Sequence, residues 1–206
     1  MYATHSPGRT GWVVTGRIDV WGLEAVSEVC RLDLATPQWG PMPPLVTVCY
    51  NHASCAVRGA LVVLGGYTQE FCPWIEEEED EEDVITSRVE SLSGGAVDGV
   101  FTSLPPLSCG GIAGAVAIGV EESTSAAGQV LLLRGRDEQG LALSTVYLVD
   151  LATGACTLQP TLLYGGGGPS AARLPDGRVV WAGGHFTYTS AAEVWGPRGG
   201  GASYAA

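Results

Sequence analysis

Four short runs of one shape recur along the chain, each an apolar, β-rich stretch that ends on glycine. They are Trp12-Val13-Val14-Thr15-Gly16-Arg17, Leu61-Val62-Val63-Leu64-Gly65-Gly66, Leu131-Leu132-Leu133-Arg134-Gly135-Arg136 and Val179-Val180-Trp181-Ala182-Gly183-Gly184. A recurring unit constrains a fold more tightly than composition does, because one unit cannot bury both of its faces alone and must stack on its neighbours. The first glycines stand at 16, 65, 135 and 183, giving intervals of 49, 70 and 48. Two intervals agree, and the third is longer by about 21 residues.

Further landmarks locate the excess. Gly16 leads to Asp33-Leu34-Ala35-Thr36 and Trp39, and Gly135 leads to Asp150-Leu151-Ala152-Thr153 and Cys156, whereas Phe101 follows Gly65 by 36 residues. That interval holds an uninterrupted acidic run at 76–83, which accounts for most of the excess. The remainder falls in the polar stretch 119–128, expected to be a long hairpin loop. Each unit closes on a proline-bearing exit, at Pro41-Met42-Pro43-Pro44-Leu45, Leu104-Pro105-Pro106-Leu107 and Gln159-Pro160-Thr161-Leu162. Proline cannot donate to a ladder, so these segments are expected to be edge strands or exits from them. With further apolar stretches at 53–57, 112–118 and 170–174, each unit reads as four short strands, here called first to fourth, and no segment reads as a helix.

Composition supports a packed, turn-dense fold: 206 residues, 46% hydrophobic, 16% charged and 30 glycines. The acidic run supplies −8 of the net charge of −12, leaving 14 acids against 10 bases elsewhere. No basic stripe exists to displace counterions from phosphates, so nucleic acid is not an expected partner. All ten bases are arginine, which removes lysine Schiff-base chemistry and a phosphate-loop lysine. No apolar stretch reaches the roughly 18 residues of a spanning helix, and the first 20 residues lack a secretory apolar core, so no membrane association is expected. The expected location is the cytoplasm, with the nucleus as the alternative. Six cysteines at irregular spacing read as reduced, mostly buried thiols.

A period near 50, four strands per unit, a run ending in paired glycine, an Asp-x-x-Thr turn, an aromatic opening the last strand and a proline exit together resemble the kelch repeat. The resemblance is strongest over 51–107 and 169–195, and 146–154 also fits; Arg17 and Arg136 stand where a second glycine is expected, and Phe101 and Cys156 replace the tryptophan. It implies an all-β, kelch-type β-propeller of about four blades of four antiparallel strands, partial or open, in one domain over 1–206. Blades are expected near 2–45, 46–107, 108–162 and 163–206, with a disordered acidic insertion over 70–86. Kelch propellers usually have five to seven blades, so a fragment, a small ring and an open arc that pairs with a second copy are all compatible readings.

The same resemblance implies a non-enzymatic scaffold that binds a protein or peptide through the loops joining second to third strands and fourth to next first strands, which share one end. Residues 17, 67, 136 and 185 open the former loops, and Arg17, Tyr67, Trp74, Arg136 and His185 are the expected binding residues. The acidic run lies in such a loop and would attract a basic partner, with Phe71, Trp74 and Ile75 as anchors. A substrate-recognition part of a cullin-type ubiquitin ligase is one alternative, although it needs a BTB or F-box segment that is not found before residue 12. A galactose-oxidase-like metal enzyme is another. Cys49-x-x-His52-x-x-Cys55 contains zinc-ligating residue types, but alternation along a strand would point residues three apart to opposite faces, so no metal or cofactor is expected there. No nucleophile elbow, phosphate loop or His-Glu-x-x-His motif occurs, and nothing surrounds His185 to make it a catalytic base.

Overall fold

The computed structural model describes residues 2–5, 11–18, 25–68, 84–93, 99–120, 125–168, 170–183, 192–196 and 202–204. They form an all-β structure of antiparallel sheets, and no helix long and apolar enough to cross a membrane occurs among them. Sheet one contains β1 (Tyr2–His5), β2 (Gly11–Ile18), β3 (Ala25–Asp33) and β4 (Gln38–Met42). Sheet two contains β5 (Ala53–Val57), β6 (Ala60–Leu64), β9 (Val89–Leu92) and β10 (Thr102–Leu104), with a two-stranded ladder of β7 (Tyr67–Thr68) and β8 (Val84–Ile85) inserted between β6 and β9. Sheet three contains β11 (Val116–Val120), β12 (Gln129–Leu133), β13 (Val146–Asp150) and β14 (Cys156–Gln159). Sheet four contains β15 (Ser170–Arg173), β16 (Val179–Ala182), β17 (Ala192–Trp195) and β18 (Ala202–Tyr204). Each four-stranded sheet is a meander in chain order.

Local chemistry fixes the turns. Arg58 and Gly59 both take positive φ, which suits the two-residue turn between β5 and β6 to the twist of its strands. Asp33 accepts the Ala35 and Thr36 amides, and Asp150 accepts those of Ala152 and Thr153, so the recurring Asp-x-x-Thr motif is a side-chain-capped turn. At the end of the expected insertion 70–86, Val84 pairs with Thr68 and Ile85 with Tyr67, and the bridge of Tyr67 to Tyr50 holds one side of that ladder in place; residues 70–83 lie outside the described residues.

The sheets stack in sequence, and strand alternation divides each between two neighbours. In β6, Leu61 and Val63 pack with Val29, Met42 and Phe101 between sheets one and two, while Val62 and Leu64 join Val130, Leu132 and Val149 between sheets two and three. Leu131, Leu133 and Val146 then meet Val179, Trp181 and Trp195 between sheets three and four. This explains the unalternating runs: β6 and β12 are covered on both faces, so every position from Leu61 to Leu64 and Val130 to Leu133 is buried. First strands lie side by side, β1 with β5, β5 with β11 and β11 with β15, and among the described residues no contact of similar extent returns from β15 to β1.

The aromatic position of the fourth strand behaves unequally. Phe101 is buried against sheet one and Cys156 is half-buried against sheet two, but Trp39 is 58% exposed rather than filling a gap between sheets. The position faces the preceding sheet, and none of the described sheets lies on that side of sheet one. The 112–118 stretch also begins its strand late, at Val116, because Ile112 to Ala115 form the connection that enters sheet three.

Pairing registers correct the correspondence of the glycine runs. Leu64 pairs with Val89 and Leu133 with Val146, while the Gly65 amide donates to Arg88 O and the Arg134 amide donates to Thr145 O. Arg134 therefore occupies the place of Gly65, and its φ of 61° matches the 64° of Gly65 and the 74° of Gly183. Thr15 pairs with Val29, so Arg17 stands one place later and corresponds to Gly66 and Gly135, whereas Arg136 corresponds to Tyr67. Arg17 and Arg136 do not share a repeat position; the third run is offset by one residue because an arginine replaces its first glycine.

Candidate functional site

In an antiparallel meander the connection from second to third strand and the connection leaving the fourth strand fall at the same end. Here that end is built on a relay of backbone hydrogen bonds: the Gly114 amide donates to Asn51 O (2.7 Å), and the Gly168 amide donates to Gly114 O (2.9 Å). Asn51, Gly114 and Gly168 each stand two residues before a first strand and share left-handed φ values of 54°, 64° and 69°. Three successive linkers are thus fixed to one another rather than hanging free.

Buried carboxylates fasten those linkers to the next sheet. Glu90, 4% exposed at the centre of β9, accepts the Val46 and Thr47 amides at 2.8 Å each. Glu193, 1% exposed at the matching place in β17, accepts the Leu163 amide on both oxygens at 3.1 Å. Charge-assisted bonds to linker amides satisfy these acids inside otherwise apolar interfaces. Leu45, Leu107 and Leu162 follow the same rule at the exits, donating their amides to Ser27, Ser87 and Ser144.

Two expected binding residues meet this frame in equivalent ways. Tyr67 bridges Tyr50 and stacks on its ring, with centroids 5.2 Å apart. Arg136 bridges Ala113, and its guanidinium donates to Gly140 O at 2.7 Å, while the neighbouring Asp137 carboxylate caps the Gln139 and Leu141 amides. Glu138 reaches across to accept the Gly111 amide at 2.6 Å. Arg17 lies in β2 beside a bulge, two places past Thr15. Trp74, His185, the acidic run 76–83 and the flanking Phe71 and Ile75 lie outside the described residues, although β7 and β8 bring residues 68 and 84 together at this end.

Cys49 and His52 do meet, at 3.5 Å between Sγ and Nδ1, because they lie in the linker before β5 where strand alternation does not apply. His52 is fully buried, and its Nε2 lies 2.6 Å from Thr15 Oγ1 of sheet one. Burial lowers its pKa to about 4 and raises the Cys49 thiol to about 12. Among the described residues, no cluster of three or more His, Cys, Asp or Glu side chains is arranged to hold a metal ion.

Several large apolar side chains are exposed at this end, among charged and polar ones such as Arg88, Glu138 and Gln139. Val46, Val48, Val84, Leu141, Leu163 and Tyr164 are all exposed and all belong to its connections, whereas Leu34 and Val100 are at the opposite turns and Trp39 and Leu158 on outer strands. The 141–143 and 163–166 segments touch, since the Gly166 amide donates to Leu143 O.

Sequence reasoning did not single out Glu90, Glu193, Tyr50 or Arg134 for a role. A signal for the acids was present: each interrupts an apolar strand, in Val89-Glu90-Ser91-Leu92 and Ala192-Glu193-Val194-Trp195. A charge in the middle of a run covered on both sides has to be satisfied internally.

No family model matches the chain, and no curated protein matches it. A solved structure titled "Structure of YjhT" is similar, with a TM-score of 0.69 and 15% sequence identity over 94% of this chain and 67% of that one. At that identity the likeness speaks to the fold alone.

Proposed function

We propose that the chain is a kelch-type propeller of about four blades acting as a non-enzymatic protein-interaction module, and that its partner docks on the end carrying the linkers. The four meander sheets, their side-by-side first strands and the YjhT likeness support the propeller reading. The observation that carries the functional reading is the placement of the six exposed apolar residues on rigidly tied connections at one end. Exposed apolar groups held on a fixed frame favour association, because little conformational entropy is lost on docking. The carboxylates of Glu90, Glu138 and Asp137 are already bonded to backbone amides, which suits structural work rather than acid–base chemistry. The acidic run, which lies in sequence between β7 and β8, favours a partner with a basic segment.

The test compares proteins retained by the wild-type chain with those retained by Leu141→Asp/Tyr164→Asp and by Ala152→Asp at the opposite end. The reading expects a partner that is lost with the first variant and kept with the second. Retention by both, or loss by both with unchanged melting, contradicts it. Deletion of 76–83 is expected to weaken a basic partner without moving Tm; equal binding with and without the run removes it from the site.

A further inference from the structure

Cys109 and Cys156 come from different sheets' territory yet meet at 2.9 Å between sulfur atoms. Cys109 lies in the segment that leaves β10 of sheet two, and Cys156 opens β14, the edge strand of sheet three. Their approach is held by the backbone on both sides. The Ser108 amide donates to Gly154 O at 2.9 Å, and the Cys156 amide returns a bond to Ser108 Oγ at 2.9 Å. Gly154 has positive φ and sits so close to Pro106 O that a Cβ there would collide with it. Both thiols are half-buried, so a small reagent reaches them, while the segment around them is fixed.

We propose that Cys109 and Cys156 form a thiol pair that closes to an intramolecular disulfide on reaction with a small-molecule disulfide such as oxidised glutathione, stapling β14 to the preceding sheet. Closing the gap from 2.9 Å to the S–S bond length of about 2.05 Å needs only a small adjustment of the two side chains. The Cys109 thiol donates to Cys156, which draws the Cys156 pKa down to about 6 and pushes that of Cys109 up. Cys156 is therefore the attacking thiolate.

The exchange balances in two steps. The Cys156 thiolate attacks one sulfur of oxidised glutathione, forming a mixed disulfide and releasing one glutathione thiolate. Cys109 then loses its proton and attacks the Cys156 sulfur, expelling the second glutathione. The protein loses two hydrogens and the reagent gains them as two glutathione thiols. Cys30 and Cys49 have no sulfur partner of this kind among the described residues, and burial pushes Cys49 up to about 12, so it is a poor nucleophile.

The test treats the reduced full chain with excess oxidised glutathione near pH 7.5, followed by alkylation, non-reducing digestion and mass mapping. The expected product is a species two hydrogens lighter with a Cys109–Cys156 cross-linked peptide. Its Tm should rise by at least about 5 °C, reversed by dithiothreitol. Cys109→Ser should instead accumulate one glutathione on Cys156, because no resolving thiol remains. If that variant lacks a cooperative melt, the wild-type cross-link map decides alone. Full alkylation of both cysteines after oxidation, or a disulfide formed chiefly between other cysteines, overturns the proposal.

Discussion

The Arg134 guanidinium lies 3.9 Å from the centre of the Trp181 ring, joining the end of β12 in sheet three to β16 in sheet four. Arg134 is fully buried, and among the described residues its guanidinium donates to the carbonyls of Gly165 and Gly183. Burial lowers its pKa, and the negative charge of Glu193 opposes that shift. Removing such a side chain leaves carbonyls unpaired and a cavity over the indole. Arg134→Ala is expected to cost about 3 kcal/mol of unfolding free energy in urea titrations, with Arg134→Lys losing less because the charge survives without the planar fork. A cost below about 0.5 kcal/mol for Arg134→Ala would show that this contact does not hold sheets three and four together.

Three sheets share one left-handed position, at Gly65, Arg134 and Gly183, but the space around it differs. A Cβ on Gly65 would collide with Ile112 O, whereas one on Gly183 meets nothing within 4 Å among the described residues. Gly183→Ala should therefore cost only the backbone penalty of about 1–2 kcal/mol. Gly65→Ala should cost more than about 3 kcal/mol, since the linker has to shift as well. Equal losses in paired denaturation curves would contradict the assigned packing of Ile112 on Gly65.

Glu90 and Glu193 are expected to act alike despite lying in different interfaces. Glu90→Gln keeps one acceptor for two amides, so a loss of about 1–2 kcal/mol is expected, and Glu90→Ala should cost more. Hydrogen exchange should report the local effect, with the Val46 and Thr47 amides losing protection in Glu90→Gln while Leu163 keeps its own. A uniform loss across the chain would instead mean that the acid does not act on this linker.

His52 predicts an acid limb of stability. Its pKa falls from 6.5 to about 4 on folding, so the unfolded chain takes up the proton first as pH drops. Its contribution is complete above about pH 6.5 and is lost between that value and about pH 4, on the order of 3 kcal/mol in all. Thermal melts of wild type and His52→Gln across pH 4–7.5 check this. The wild-type Tm should fall more steeply below pH 6.5, and parallel curves would remove His52 as the cause.

Much of the strand framework was legible because β structure writes itself locally, in glycine-ended apolar runs, Asp-x-x-Thr turns and proline exits. What local pattern could not supply was register. Arg134 looked like the residue before a glycine, and only the pairing of Leu133 with Val146 shows that it replaces one. The site residues were legible in part for a related reason. Tyr67 and Arg136 follow the glycine position directly, whereas Tyr50, Glu90 and Glu193 gain their roles from partners 17 to 44 residues away. Cys109 and Cys156, 47 residues apart, looked like unrelated thiols for the same reason.

The most direct test of the interaction reading is a hydrogen-exchange footprint of the chain with its captured partner. Protection is expected over 46–51, 84–88, 136–143 and 163–168, all at the linker end, and the capped turns at 33–37 and 150–154 should be unchanged. Protection centred on those turns, or a bound complex that leaves the linker end as exchangeable as the free chain, would contradict the account.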